Sequence, residues 1–144
     1  MYLNQIILKS LEDEFVVPRI GDELVEPGLP AHKRSYVGPI GPNGEDVVDP
    51  VKGQPAQFVQ LKSIPNWQHL LVGERGPKDC YRQDRAQERA WEVVTNGVVN
   101  RTLGPNCEHI TSYIRTGGPK SSQLMFWGGV AAAVAFGVML GGAD

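Results

Sequence analysis

Eight prolines fall in the stretch from residue 18 to residue 65, at Pro18, Pro27, Pro30, Pro39, Pro42, Pro50, Pro55 and Pro65. Each locks its own φ, removes a backbone donor and biases the preceding residue away from the α region. A long helix cannot survive that spacing, whereas short strands joined by turns can. The runs between the prolines are rich in β-branched and aromatic residues, which suit a pleated, half-buried surface. Strands are therefore predicted at 2–8, 14–17, 23–26, 34–38, 46–48, 57–61 and 69–72, with Pro42-Asn43-Gly44 as a hairpin turn.

The character changes near Pro77. Residues 78–97, KDCYRQDRAQERAWEVVTNG, are dense in helix formers and end on Asn96-Gly97, a stop signal. On this helix Trp91 and Val94 are expected to face the core, and Lys78, Arg82, Arg85 and Arg89 recur at helical spacing. That basic stripe could meet lipid or RNA phosphates, or form a solvated face beside Asp79, Asp84, Glu88 and Glu92. A second helix is expected to open at Cys107, with Asn106 as its N-cap. Strands followed by helices predict an α+β domain, a small antiparallel sheet packed against helices, over residues 1–120.

Residues 121–144 form a separate unit. From Ser121 to Ala143 there is no charged side chain, and the apolar heart runs from Leu124 to Gly142. Its length is close to the roughly 20 residues a helix needs to cross a bilayer core. Phe126 and Trp127 stand at its start, where aromatic rings favour the interface, and Gly129, Ala133, Gly137 and Gly141 recur every fourth residue. A buried C-terminal core helix is the alternative, but its glycines would each cost about 1 kcal/mol relative to alanine in water. A hydrophobic, membrane-associating helix, spanning or inserted, is the expectation.

Lys and Arg number 14 against 16 Asp and Glu, a formal net charge of −2, which does not suggest a generic nucleic-acid binder. The two cysteines, Cys80 and Cys107, do not make a disulfide framework, and the opening residues do not read as a secretory leader, so a reduced, cytosolic setting is expected. Asn100-Arg101-Thr102 matches a glycosylation triplet that arises often by chance. Two cysteines and three histidines without paired ligand spacing argue against a zinc site. No cofactor is expected.

Cys107 is the candidate for chemistry. At the first position of a helix a thiol faces unpaired N–H groups and the positive end of the helix dipole, both of which favour thiolate. Glu108 works against this, and an inert buried cysteine fits the local sequence equally well. Cys107, Ile110 and Ile114 share one helical face, which should pack on the sheet. A nucleophilic cysteine also needs a base. His109, two residues on, points off that face and reads as a structural hydrogen-bonder, so His32 and His69 remain; His69 is expected within a strand.

Asn106-Cys107-Glu108-His109, followed by an apolar residue, a short helix and a hydrophobic tail, resembles the NC motif of the H-box/NC proteins. These form the lecithin:retinol acyltransferase-like (LRAT-like) and phospholipase/acyltransferase-like branch of the NlpC/P60 superfamily. Gly21, Asp22, His32, Tyr36, Val37 and Gly38 fall in the order of the family's H-box, and His32 precedes Cys107, as in this permuted branch. Lys33-Arg34 replaces the usual Trp-Ala, and the family's second histidine has no counterpart; Asp49 stands nearest that place, either orienting His32 or lying in a surface turn. The short interval between the motifs and the apolar tail are most similar to the picornaviral 2A-type H-box/NC non-structural proteins.

The resemblance implies a permuted NlpC/P60 (LRAT-like) fold and a Cys107–His32 site, with Asp49 as the third member. It implies two functions, the first the expectation and the second its alternative. One is a viral non-structural protein that acts in replication by binding membrane lipids, viral or host proteins, or RNA, with an inactive site. The other is a thiol-dependent phospholipase/acyltransferase that forms an acyl-thioester on Cys107. Both imply the host-cell cytoplasm, at intracellular membranes, with the tail residues Leu124, Phe126, Trp127, Gly137 and Gly141 in the lipid.

Overall fold

The computed structural model describes residues 5–28, 31–40, 44–100 and 106–118. Seven strands form one sheet: β1 (Leu8–Ser10), β2 (Phe15–Val16), β3 (Glu23–Glu26), β4 (His32–Pro39), β5 (Glu45–Asp49), β6 (Gln57–Gln60) and β7 (Leu71–Val72). Two helices follow, α1 (Cys80–Thr95) and α2 (Cys107–Thr116). The class is α+β, and the strand order is β2-β1-β7-β3-β4-β5-β6. The expected all-antiparallel sheet is corrected in one place: β1 pairs with β7 in parallel, Lys9 beside Leu71. The long excursion through β3 to β6 lets β7 return in the direction of β1, which a hairpin could not do.

Prolines and turn residues set most strand limits, with two shifts. The first strand begins at Leu8, near the end of the expected 2–8 run. The last shrinks to Leu71–Val72, because Asn66 takes a left-handed conformation at φ 59° and Trp67–His69 closes as a 3-10 turn. His69 is therefore exposed on that turn, outside any strand. Pro42 and Asn43 of the expected hairpin turn lie outside the described residues, as do residues 121–144 with Leu124, Phe126, Trp127, Gly137 and Gly141. Among the described residues no helix is long and apolar enough to cross a membrane.

Strand alternation divides the core between the two faces of the sheet. On one face Leu8, Leu24, Tyr36, Val47 and Val72 pack beneath the 61–70 segment, which contributes Leu61, Ile64 and Leu70. On the other, Val37 and Val48 meet Ala90 and Val93 of α1 and Ile110 and Ile114 of α2. Trp91 falls just outside the inward stripe of Ala86, Ala90 and Val93; it is 52 % exposed and only touches Phe58 edge-on, so the expectation of a core Trp91 is corrected.

The Gly21-Asp22 pair is a structural pin. Asp22 is fully buried and accepts hydrogen bonds from the Arg19 N–H, the Gly76 N–H and Arg75 Nε. It thereby ties the loop after β7 to the start of β3. Gly76 is required there, because a Cβ would meet the Ile20 carbonyl oxygen at 2.1 Å. Asn100 is also buried and donates to the Pro50 carbonyl, so its amide is not presented as a glycosylation acceptor.

Candidate active site

Cys107 owes its position to the cap and the apolar face of α2. Asn106 Oδ1 accepts from the His109 N–H at 3.0 Å, and the Asn106 N–H donates to His109 Nδ1 at 3.2 Å. This is a capping box with histidine in the role usually taken by Glu or Gln. His109 is thus a structural hydrogen-bonder, as expected, here within the cap, and its pKa is lowered by burial. Ile110 and Ile114, both fully buried, seat the helix on the sheet. The half-buried Cys107 is held at the mouth of β4, where its sulfur lies 4.0 Å from the Ala31 carbonyl oxygen.

His32 opens β4 and Asp49 closes the antiparallel neighbour β5. The β4–β5 register, Ser35 opposite Val48, brings them diagonally together on one face. His32 Nε2 is 2.7 Å from Asp49 Oδ1, and Cys107 Sγ lies 4.0 Å from the carbonyl oxygen of Ala31, the residue before His32, which brings thiol and imidazole within interacting range. With Nε2 engaged by Asp49, Nδ1 is the nitrogen left to exchange a proton with sulfur. The three residues named from sequence are therefore contiguous, and Asp49 is no surface turn residue: its side chain is only 13 % exposed.

The protonation states follow from these contacts. His32 is raised from 6.5 to about 9, chiefly by the Asp49 hydrogen bond and then by that to Cys107; burial and the Arg34 charge oppose this. For Cys107, burial pushes the thiol up, but the hydrogen bonds from His32 and the Lys33 N–H, with the charges of both side chains, bring it below its ordinary 9.0. Burial likewise works against the Asp49 carboxylate, and the His32 bond and the Arg34 charge overcome it, so its pKa is lowered. Both shifts act toward thiolate beside imidazolium, the pair a cysteine nucleophile requires.

Two site residues were not anticipated. Arg34 Nε lies 3.3 Å from the same Asp49 oxygen, in an ion pair without hydrogen-bond alignment, and its Nη1 pairs with Glu26 at 2.9 Å. The signal was there, since i and i+2 on a strand share a face and Arg34 follows His32 at that spacing. Lys33 lies on the opposite face, its Nζ 3.7 Å from Glu23 and 3.8 Å from Glu108, at the rim of a cleft of about 690 Å³ between α2 and the β1–β2 turn.

The basic stripe is divided. Lys78 is exposed, Arg82 lies 3.8 Å from Asp79, and Arg85 pairs with Glu88 at 3.0 Å. Arg89 is turned inward, its Nε donating to the Ile114 carbonyl and its Nη2 to that of Arg115, so it caps α2 and joins the two helices. Both cysteines are free thiols. Among the described residues no cluster of three His, Cys, Asp or Glu could hold a metal ion. No family model, curated protein or solved structure matches the chain.

Proposed function

We propose that this chain is a thiol-dependent acyl-transfer enzyme of the H-box/NC type with a permuted LRAT-like fold, in which Cys107 is the nucleophile, His32 the acid–base group and Asp49 its orienter. The observation that carries this reading is the placement of His32, 2.7 Å from Asp49 and next in sequence to Ala31, whose carbonyl oxygen lies 4.0 Å from Cys107 Sγ. The Cys107 thiolate attacks an ester carbonyl, and the His32 imidazolium gives its proton to the departing alkoxide, leaving an acyl-thioester and a free alcohol. Neutral His32 then takes a proton from water or an acceptor amine or alcohol, which attacks the thioester and returns the thiolate. The N–H groups of Cys107 and Glu108, which precede the capped His109 N–H and the first intrahelical bond, are the oxyanion donors in this scheme. A lipid ester is the proposed substrate class, and the uncharged 121–143 segment would bring the site to a bilayer.

Incubation of the full chain with phosphatidylcholine should leave an acyl mass adduct on Cys107 that hydroxylamine removes and Cys107→Ser lacks. If wild-type protein never carries an adduct under conditions where the thiol alkylates readily, the enzymatic reading fails. The second reading is a viral replication protein that binds membranes, proteins or RNA on a retained but inactive scaffold. Its support is Arg34, which draws on the same Asp49 oxygen as His32. In that case deletion of residues 121–144 would abolish membrane binding, and Cys107→Ser would leave every phenotype unchanged.

A further inference from the structure

The cleft between α2 and the β1–β2 turn is lined by a nearly buried cation that no ion pair among the described residues neutralises. Arg115 lines it, is only 8 % exposed, and keeps its Nη1 sealed from solvent with no hydrogen-bond partner. Among the described residues it enters no ion pair. Ser112, one turn earlier on the same helix, also lines the cleft, is 2 % exposed, and has an unpartnered Oγ. A buried guanidinium without an anion is costly, and a buried hydroxyl without a partner adds to that cost. Glu23, on the same wall, already faces Lys33 and the Thr111 hydroxyl. Glu12 and Glu14 of the β1–β2 turn also line the cleft, as do Glu74 and Glu108 with Lys33 and Arg75, and this excess of carboxylates would repel a bare polyanion.

We propose that Arg115 and Ser112 form an oxyanion subsite, and that the cleft takes a small zwitterion whose phosphate or carboxylate docks on them while its ammonium group faces the glutamates of the β1–β2 turn. The guanidinium fork matches either oxyanion, and the Ser112 hydroxyl supplies a further donor. This assignment stands whether or not Cys107 reacts.

The test is thermal unfolding of the full chain with phosphoethanolamine and with β-alanine, each against sodium chloride of equal ionic strength. The expected result is a saturable rise in Tm of about 4 °C or more. Arg115→Met should lose this rise while its unliganded Tm stays at or above wild type, because the lone buried charge is gone. Ser112→Ala should fold normally and weaken binding about tenfold. Vesicles containing phosphatidylethanolamine, compared between wild type and Arg115→Met, identify the source: an Arg115-dependent affinity for vesicles assigns a lipid headgroup, and dependence confined to the soluble zwitterions assigns a free small molecule. The proposal is overturned if wild type shows no rise above the salt control, or if Arg115→Met keeps the rise. It is equally overturned if Arg115→Met fails to fold, since the guanidinium would then have a partner within the fold.

Discussion

Asp49 Oδ1 lies 2.7 Å from His32 Nε2, and the pairing depends on two strands ending in register, His32 at the first residue of β4 and Asp49 at the last of β5. That bond is the largest cause of the raised His32 pKa, and His32 in turn is the largest cause favouring the Cys107 thiolate. Asp49→Asn should therefore act on sulfur through histidine. In a Cys80→Ser background, where a single thiol reports, wild-type alkylation should have its pH midpoint below 9.0. In Asp49→Asn that midpoint should move upward. An unchanged midpoint would mean that Asp49 does not govern the thiol.

Arg34 pulls the other way on the same carboxylate. Its charge lowers the His32 pKa, and its Nε shares Asp49 Oδ1 with the imidazole. Arg34→Met should leave Asp49 to His32 alone, so the His32 titration, followed by NMR of the ring protons, should shift above about 9. A downward shift would show that Arg34 holds Asp49 in place more than it competes for it.

The same histidine makes stability depend on pH. Its folded pKa is raised from 6.5 to about 9, so the stabilisation it brings is fully present below 6.5 and is lost as pH rises through about 9. Cys107 has the opposite sign: with its folded pKa lowered from 9.0, its contribution appears above 9.0 and fades as pH falls through the folded value. In a Cys107→Ser background the histidine part stands alone. The thiol's share of the His32 shift is lost there, so urea denaturation should show stability declining as pH rises above 6.5, with the decline complete below about 9, and His32→Gln should flatten it.

How much of this was legible in the sequence differs by element. Proline spacing and alternation located β3 to β6 closely, because turn chemistry and side-chain period are local. The parallel pairing of β1 with β7 was not legible, since it depends on where a chain returns after five other strands. His32 and Cys107 were readable from motif order. Asp49 was ambiguous, because only the β4–β5 register decides whether a carboxylate at a strand end faces a histidine or water. Trp91 misled for a related reason: α1 buries a narrow stripe through alanines, and bulk alone did not say which side of it Trp91 would take.

Ile110 is fully buried between the sheet and α1, one turn after Cys107. Ile110→Ala should cost about 2–5 kcal/mol of stability by lost transfer energy and a residual cavity. Because the same face of α2 seats the thiol, chemical denaturation and Cys107 alkylation should both respond. Normal stability with Ile110→Ala would mean that α2 is held by other contacts.

The cap of α2 separates helix formation from thiol electrostatics. Asn106→Ala removes the acceptor of the His109 N–H and should cost about 1 kcal/mol. The first turn would fray, and the Cys107 alkylation midpoint should rise with it. Asn106→Asp keeps an acceptor at the same place and adds a negative charge that suits a helix N-terminus. It should restore stability, yet that charge, next in sequence to Cys107, disfavours thiolate and should keep the alkylation midpoint high. If Asn106→Asp instead restores both stability and the wild-type midpoint, the ordered first turn of α2 rather than local charge sets the reactivity of Cys107.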